Sequence, residues 1–301
     1  MDSEKTGTLI ILIGLFVYGI HPVFIEFGSF LVAPLIFAAV AALCAGGIAF
    51  GIRIVNPPKV RFHLSRSDVL RLVMAGVLGT FLAYTGMFLG LQFTSSNNAG
   101  VILRSELAFA LIFGYLFLDE RISIRQAGWM SVMIVGVLFV MVTAQLQAFG
   151  IGDFLILITP IAWAGAHTFA KPVLQRVPIW TAVGYRNLVG GVLLAILASV
   201  FLGLGVPIHF DPNLGVIVGI ILLEAVIILL AHGLWYAGIR RINLGKATAL
   251  IAPAPLVTFF LSMAIFQILP TIWQLIGALL VIIATILLSR EGSLRRVAST
   301  V

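Results

Sequence analysis

The chain has 301 residues, of which 61% are hydrophobic and only 10% charged, whereas an average soluble domain carries about 25% charged residues. That composition excludes a soluble enzyme and a disordered tail. The net charge of +7 does not indicate a nucleic-acid binder either, because the basic residues sit in short breaks between apolar runs and not on one water-exposed face. The single cysteine, Cys44, lies inside an apolar run, so no intrachain disulfide forms. No clustered set of His, Cys, Asp or Glu has metal-ligand spacing, and neither a metal nor a cofactor is expected.

A membrane span needs about 20 apolar residues to cross a core of about 30 Å. Ten such segments follow one another: 8–27, 30–52, 69–92, 98–118, 126–145, 152–172, 180–202, 214–239, 246–268 and 271–289. Turn chemistry separates them: Asn56-Pro57-Pro58, Ser95-Ser96-Asn97-Asn98, Asp119-Glu120, Val206-Pro207 and Asp211-Pro212-Asn213. The first run is read as a retained span, since Asp2, Glu4 and Lys5 give no positive leader and the run is longer than a signal-peptide core. The split at Gln267-Ile268-Leu269-Pro270 is required by length, because 246–289 is too long for one span. With the N-terminus in the cytoplasm, ten spans return the C-terminus there. Every Lys and Arg then falls on the cytoplasmic side except Arg104 and Arg186, which lie within spans.

The two halves, 1–149 and 150–301, resemble each other. Tyr18-Gly19 through Phe24 to Glu26 aligns with Trp163-Ala164 through Phe169 to Lys171. Gly86, Phe88 and Gly90 align with Gly233, Trp235 and Ala237, and Glu106 then falls opposite Pro253. Five spans is an odd number, so two such halves sit in opposite orientations. Inverted repeats of this kind are a transporter signature, with the substrate site near the midplane.

Several runs carry a family resemblance. They are G-x-L-G-T-F-L-A-Y-x-G-x-F-L-G-L from Gly76, T-S-S-N-N-A-G-V-I from Thr94, L-F-L-D-E-R-I-S-x-x-Q-A-G from Leu116, A-W-A-G-A-H-T-F-A-K from Ala162, Y-R-N-L from Tyr185 and I-A-P-A-P-L from Ile251. In that order they resemble an EamA-type transporter of the drug/metabolite transporter superfamily over essentially the whole chain. The resemblance implies an all-α integral membrane protein: ten helices in two inverted five-helix repeats, with both termini cytoplasmic. It implies spans 1, 3, 4, 6, 8 and 9 around a central cavity, spans 5 and 10 as a peripheral pair, and carriage of small metabolites, commonly efflux, by alternating access. This chain departs from the pattern at Glu106, where a proline is usual, at the second span, which lacks the usual arginine, at Glu120, which has no counterpart near Ile268, and at Tyr18, where tryptophan is usual.

Ionised side chains within a bilayer cost about 2.5–3.5 kcal/mol on insertion scales and are retained when they face a cavity or a partner. Glu224 lies at the midplane of its span. Residues 224, 228 and 232 share a face that Trp235 continues, so Glu224, His232 and Trp235 form one stripe. Glu224 is read either as a substrate-amine or proton site or as a hydrogen bond to a neighbouring helix. Glu106 is a candidate for coupling or substrate contact, and Arg104, two positions away, for anchoring a carboxylate. Trp163 and His167 point inward on span 6, with Lys171 at its end. Tyr84 and Phe88 form an aromatic stripe for packing or for cation–π contact. His21, followed by the helix-bending Pro22, and His167 are proton-coupling candidates. Glu26 and Arg186 are read as interfacial, gating or salt-bridging groups.

A secondary carrier is the leading reading, with amino acids or related zwitterions, exported across the plasma membrane, as substrate and organic cations or amines as the alternative. A membrane-embedded enzyme lacks a nucleophile–base pair. The implied partners are a small-molecule substrate, the lipid bilayer and protons as a coupling ion, in a monomer or homodimer; no nucleic acid is implied.

Overall fold

The computed structural model describes residues 3–57, 62–117, 120–121, 123–141, 150–242, 247, 250–290 and 294–295. It is helical apart from one two-residue antiparallel pairing, β1 (Glu120–Arg121) with β2 (Leu294–Arg295), and an isolated bridge between Val32 and Phe210. The helices are α1 (Ser3–Ser29), α2 (Pro34–Val55), α3 (Arg66–Gly76), α4 (Ala83–Gly90), α5 (Ser96–Ile102), α6 (Glu106–Phe117), α7 (Ile124–Met141), α8 (Ile151–Leu174), α9 (Ile179–Gly203), α10 (Leu214–Ile239), α11 (Ala254–Phe266) and α12 (Ile272–Arg290). A π-helical segment, Val77–Leu82, joins α3 to α4, and a 3-10 turn, Leu103–Ser105, joins α5 to α6.

Among the described residues, six helices are long and apolar enough to cross a membrane: Glu4–Ser29, Pro34–Val55, Arg66–Gly90, Ile151–Leu174, Ile179–Gly203 and Leu214–Ile239. Ile124–Phe139, Ala254–Phe266 and Ile272–Leu287 are shorter apolar helices. Their ends follow local chemistry. Pro34 opens α2, where its missing N–H costs nothing. Ser65 and Asp68 form a reciprocal capping box at α3. Asn213 Oδ1 accepts from the amides of Gly215 and Val216 at the start of α10. Gln267 adopts φ 58°, the left-handed stop of α11, and Pro270 follows. The uncharged split at 267–270 therefore does separate two helices.

The expected kinks at Pro22 and in span 6 are not where the chain breaks. α1 runs through Pro22, and α8 through Pro160 and Pro172, without interruption. Helical regularity changes at the π-helical segment and at Leu103–Ser105 inside the fourth expected span, and the break expected at Pro253/Pro255 in the ninth span lies at Pro253. Residue 118 of the expected fourth span, 142–145 of the fifth, and 246, 248 and 249 of the ninth lie outside the described residues.

In hydrocarbon the driving force between helices is close packing, which favours small residues at the seams. α2 packs along α9, α1 along α10, α4 along α8, and α7 along α12. A Cβ on Gly86 would meet the Leu155 carbonyl oxygen at 2.6 Å, and one on Gly136 the Gly277 carbonyl at 2.9 Å. Backbone cannot yield as a side-chain tip can. Gly86→Ala is therefore expected to destabilise by about 1–3 kcal/mol, the usual cost of overpacking, whereas Gly47→Ala, which meets nothing within 4 Å, leaves the melting temperature in detergent unchanged.

Candidate functional site

The charged and aromatic candidates converge in the middle of the bundle as three connected groups. In the first, His21 of α1 lies 2.8 Å through Nε2 from Glu224 Oε1 of α10. Both are buried, at 2% and 0% exposure, and Glu224 Oε2 has no hydrogen-bond partner. An ionised carboxylate here needs the imidazole beside it.

The second group surrounds His232. Its Nδ1 is 3.1 Å from Asn187 Oδ1, and Asn187 Nδ2 donates to the Val183 carbonyl. Asn187 Oδ1 can only accept, so His232 Nδ1 carries the proton. His232 Nε2 is then the acceptor for the Tyr84 hydroxyl at 3.4 Å. Thr80 also donates to Asn187 Oδ1. The Tyr84 ring stacks on His232 and meets His21 edge-on, which joins the two groups. Phe88 packs between Tyr84 and Phe37 with no exposure; it is part of the core wall.

The π-helical segment connects these groups to the third. The Ala83 N–H bonds to the carbonyls of Leu78 and Thr80, passing over Gly79. The Gly79 carbonyl instead accepts from Arg186 Nη2 at 2.7 Å and from Trp163 Nε1 at 3.1 Å. A Cβ at Gly79 would lie 2.9 Å from the Arg186 guanidinium carbon. Arg186 also donates to the Tyr236 hydroxyl and lies 5.6 Å over its ring. Among the described residues Arg186 forms no salt bridge, one of the two roles expected of it; its hydrogen-bond partners are a carbonyl and a phenol. Isolated π turns are frequent at functional sites.

The third group is an aromatic cluster containing charge. Tyr18 meets Trp163 and Trp235 edge-on, at 6.2 and 5.9 Å between centroids. His167 lies 5.2 Å from Trp235, and its Nδ1 is 2.8 Å from Glu106 Oε1. That approach does not make a hydrogen bond, and Nδ1 lacks a partner. Trp235 Nε1 and Arg104 Nε are likewise buried without one. Glu106 and Arg104 both lie within electrostatic reach of the Tyr18 hydroxyl. The stripe expected on α10 therefore divides, with Glu224 and His232 serving the first two groups and Trp235 the third.

Glu26 stands apart, at the end of the bundle where α1 finishes. Its Oε2 accepts from the Ser96 amide at 2.8 Å, at the start of α5. Beside it, Asp153 Oδ1 accepts from Thr94 Oγ1 and from Asn98 Nδ2, and Asn98 Oδ1 accepts from Gln274 Nε2 at 2.7 Å. This chain of bonds ties α5, α8 and α12 together. Asp153→Ala is expected to remove the acceptor of the half-buried Thr94 hydroxyl and one of the two acceptors of Asn98 Nδ2, which still donates to Thr94 Oγ1, at about 1–3 kcal/mol, and to lower the melting temperature more than Asp211→Ala, which removes only an exposed loop contact.

Sequence reasoning did not select Gly79, Asn187, Asp153 or Tyr236. Asp153 was detectable as a carboxylate in the first turn of an apolar run and Asn187 as the neighbour of Arg186; Gly79 had no signal, because a π turn leaves no pattern in composition.

Comparison with known proteins follows the same outline. A protein of Salmonella typhimurium named "Probable amino-acid metabolite efflux pump" is 26% identical over 292 residues, covering 93% of each chain. "Uncharacterized transporter YyaM" of Bacillus subtilis is 24% identical over 235 residues, 76% of this chain and 75% of that one. A solved structure superposes with a TM-score of 0.68 at 15% identity over 96% of this chain and 99% of that one, which is a likeness of fold. The model of the EamA-like transporter family matches twice, over residues 5–142 and 150–290. The protein is a multi-pass membrane transporter, and the chain belongs to the EamA-like transporter family.

Proposed function

We propose that the protein is a secondary carrier that exports small zwitterionic metabolites, amino acids foremost, across the plasma membrane by alternating access. The observation that carries this reading is the third group: Arg104 and Glu106, of opposite charge, stand beside Tyr18, Trp163 and Trp235 in the interior of the bundle. The amino-acid class also draws on the name of the Salmonella relative. Ten spans in two inverted halves, 1–149 and 150–301, with both termini in the cytoplasm, place this group between the halves, as in other inverted-repeat carriers. The halves rock about it. The breaks at Leu103–Ser105 and Pro253, at positions the repeat sets opposite each other, supply the bending points, and a proton or solute gradient supplies the energy. His21, His167, Glu26 and Arg186 act in coupling and closure.

The test is counterflow in proteoliposomes of the purified protein, with a radiolabelled panel of the twenty amino acids, spermidine and tetraphenylphosphonium. Uptake of at least one amino acid, stimulated by the same amino acid inside, is expected. Uptake confined to the cations establishes the second reading, an amine carrier, which the aromatic rings around Glu106 favour.

A further inference from the structure

The fourth span is interrupted where its two charges lie. α5 ends at Ile102, a 3-10 turn holds Leu103, Arg104 and Ser105, and α6 restarts at Glu106. Ser105 Oγ donates to the Ile102 carbonyl at 2.7 Å, satisfying part of the backbone freed by the break. Non-helical backbone at membrane depth is tolerated where it is buried in protein or lines a polar space.

The two charges are close and yet do not neutralise each other. Arg104 is 6% exposed and within Coulombic range of Glu106, but among the described residues no carboxylate forms an ion pair with it. Its Nε has no hydrogen-bond partner. A buried guanidinium left this way is costly unless something else takes its donors. Glu106 is the more open carboxylate of the interior, at 13% exposure against 0% for Glu224. Its neighbour His167 touches one oxygen off the hydrogen-bond line. Tyr18, 9% exposed, lies within electrostatic reach of both charges and presents its ring to Trp163 and Trp235. Trp235 Nε1 is a third unused donor. Glu224 differs in burial: one oxygen is engaged by His21, and the carboxylate is fully sealed at 0% exposure.

We propose that Arg104 and Glu106 are the specificity residues of the carrier and hold the two ends of one zwitterion. Arg104, assisted by the Trp235 indole N–H, takes the substrate carboxylate through its planar fork. Glu106 takes the ammonium, which the faces of Tyr18 and Trp235 also attract. His167 positions the Glu106 carboxylate. Binding satisfies at once the donors that the empty protein leaves unpaired, so a solute carrying only one of the two charges leaves the other site group buried and unpaired. Discrimination at such a site is strong for that reason. The 3-10 turn carries Arg104 and leads into Glu106, the first residue of α6, so occupation of the site bears directly on the joint between α5 and α6.

This inference rests on the zwitterion reading above, and its test separates the two. Binding to the purified protein is measured by thermal shift and calorimetry for the twenty amino acids, their methyl esters and their N-acetyl derivatives, with wild type, Arg104→Gln and Glu106→Gln. Wild type is expected to bind its preferred free amino acid at least tenfold more tightly than either derivative. Arg104→Gln is expected to bind the ester as wild type does while losing its preference for the free acid. Glu106→Gln is expected to do the converse with the N-acetyl form. The retained affinity for one derivative shows that each variant is folded. Wild-type preferences in both variants, or equal binding of acid and ester by wild type, overturn the assignment while the zwitterion reading stands. Binding of no amino acid by wild type overturns both.

Discussion

Glu224→Ala is expected to cost about 3–5 kcal/mol of stability, the usual consequence of removing one partner from a buried ionic pair. The variant leaves the His21 imidazole beside a cavity with nothing to accept from it, at a point where neither residue is more than 2% exposed. The double replacement His21→Phe with Glu224→Leu is expected to recover most of the loss, because a well-packed apolar pair often matches a buried ionic one. Both are read from equilibrium unfolding of the detergent-solubilised protein, and the coupling between the sites from the double-mutant cycle. Single variants as stable as wild type show that the pair does not hold α1 to α10. Glu224→Gln adds a functional reading: it keeps the size and one hydrogen bond while removing the charge. Transport by this variant that is unchanged at every pH removes Glu224 from the coupling step.

Arg186→Lys is expected to reduce transport at least tenfold although the charge is kept. The guanidinium bridges two groups at once, the Gly79 carbonyl at 2.7 Å and the Tyr236 hydroxyl at 3.2 Å, and lies over the Tyr236 ring. A lysine ammonium is a point donor on a flexible stem and cannot reproduce that planar fork. Hydrogen bonds to charged groups contribute about 1.5–3 kcal/mol, so the variant also melts earlier. Tyr236→Phe removes one arm of the bridge and is expected to have the smaller effect on both melting temperature and counterflow rate. Equal effects from the two variants place the importance of Arg186 in the phenol and not in the π-helical segment.

How far the sequence could be read depends on the kind of feature. Helix ends at the marked breaks were legible: Asn213 and Gln267–Pro270 fall where helices start or stop, whereas Pro34 and the Ser65–Asp68 box, which open α2 and α3, were passed over. Buried charge was legible residue by residue, because Glu106, Arg104, Glu224 and Arg186 interrupt apolar runs. Partnership was not. His21 and Glu224 are 203 residues apart, and Gly79, Trp163 and Arg186 come from three separate spans. The α10 stripe was drawn correctly as a helical face, but successive turns of that face meet different neighbours, so Glu224, His232 and Trp235 have different partners. Proline was a mixed guide: the break expected at Pro253/Pro255 falls at Pro253, but others interrupt nothing. Pro22 and Pro160 sit within unbroken helices, while the break beside Arg104 occurs where proline is absent. Tertiary packing decides both cases.

The wide turn at Val77–Leu82 has a consequence for insertions and deletions along this chain. A π turn holds one residue more than an α turn over the same rise. Deleting a single residue there lets the segment close into ordinary α-helix. The part of α4 beyond it keeps its facing relative to α3, because the wide turn already absorbed the extra residue, so Tyr84 stays beside His232 while the Gly79 carbonyl is drawn into the helix ladder and away from Arg186. A one-residue deletion at this place thus removes the Arg186 contact and spares the rest of the interior, whereas a deletion of the same size in the regular part of α3 or α4 turns everything beyond it by about 100°.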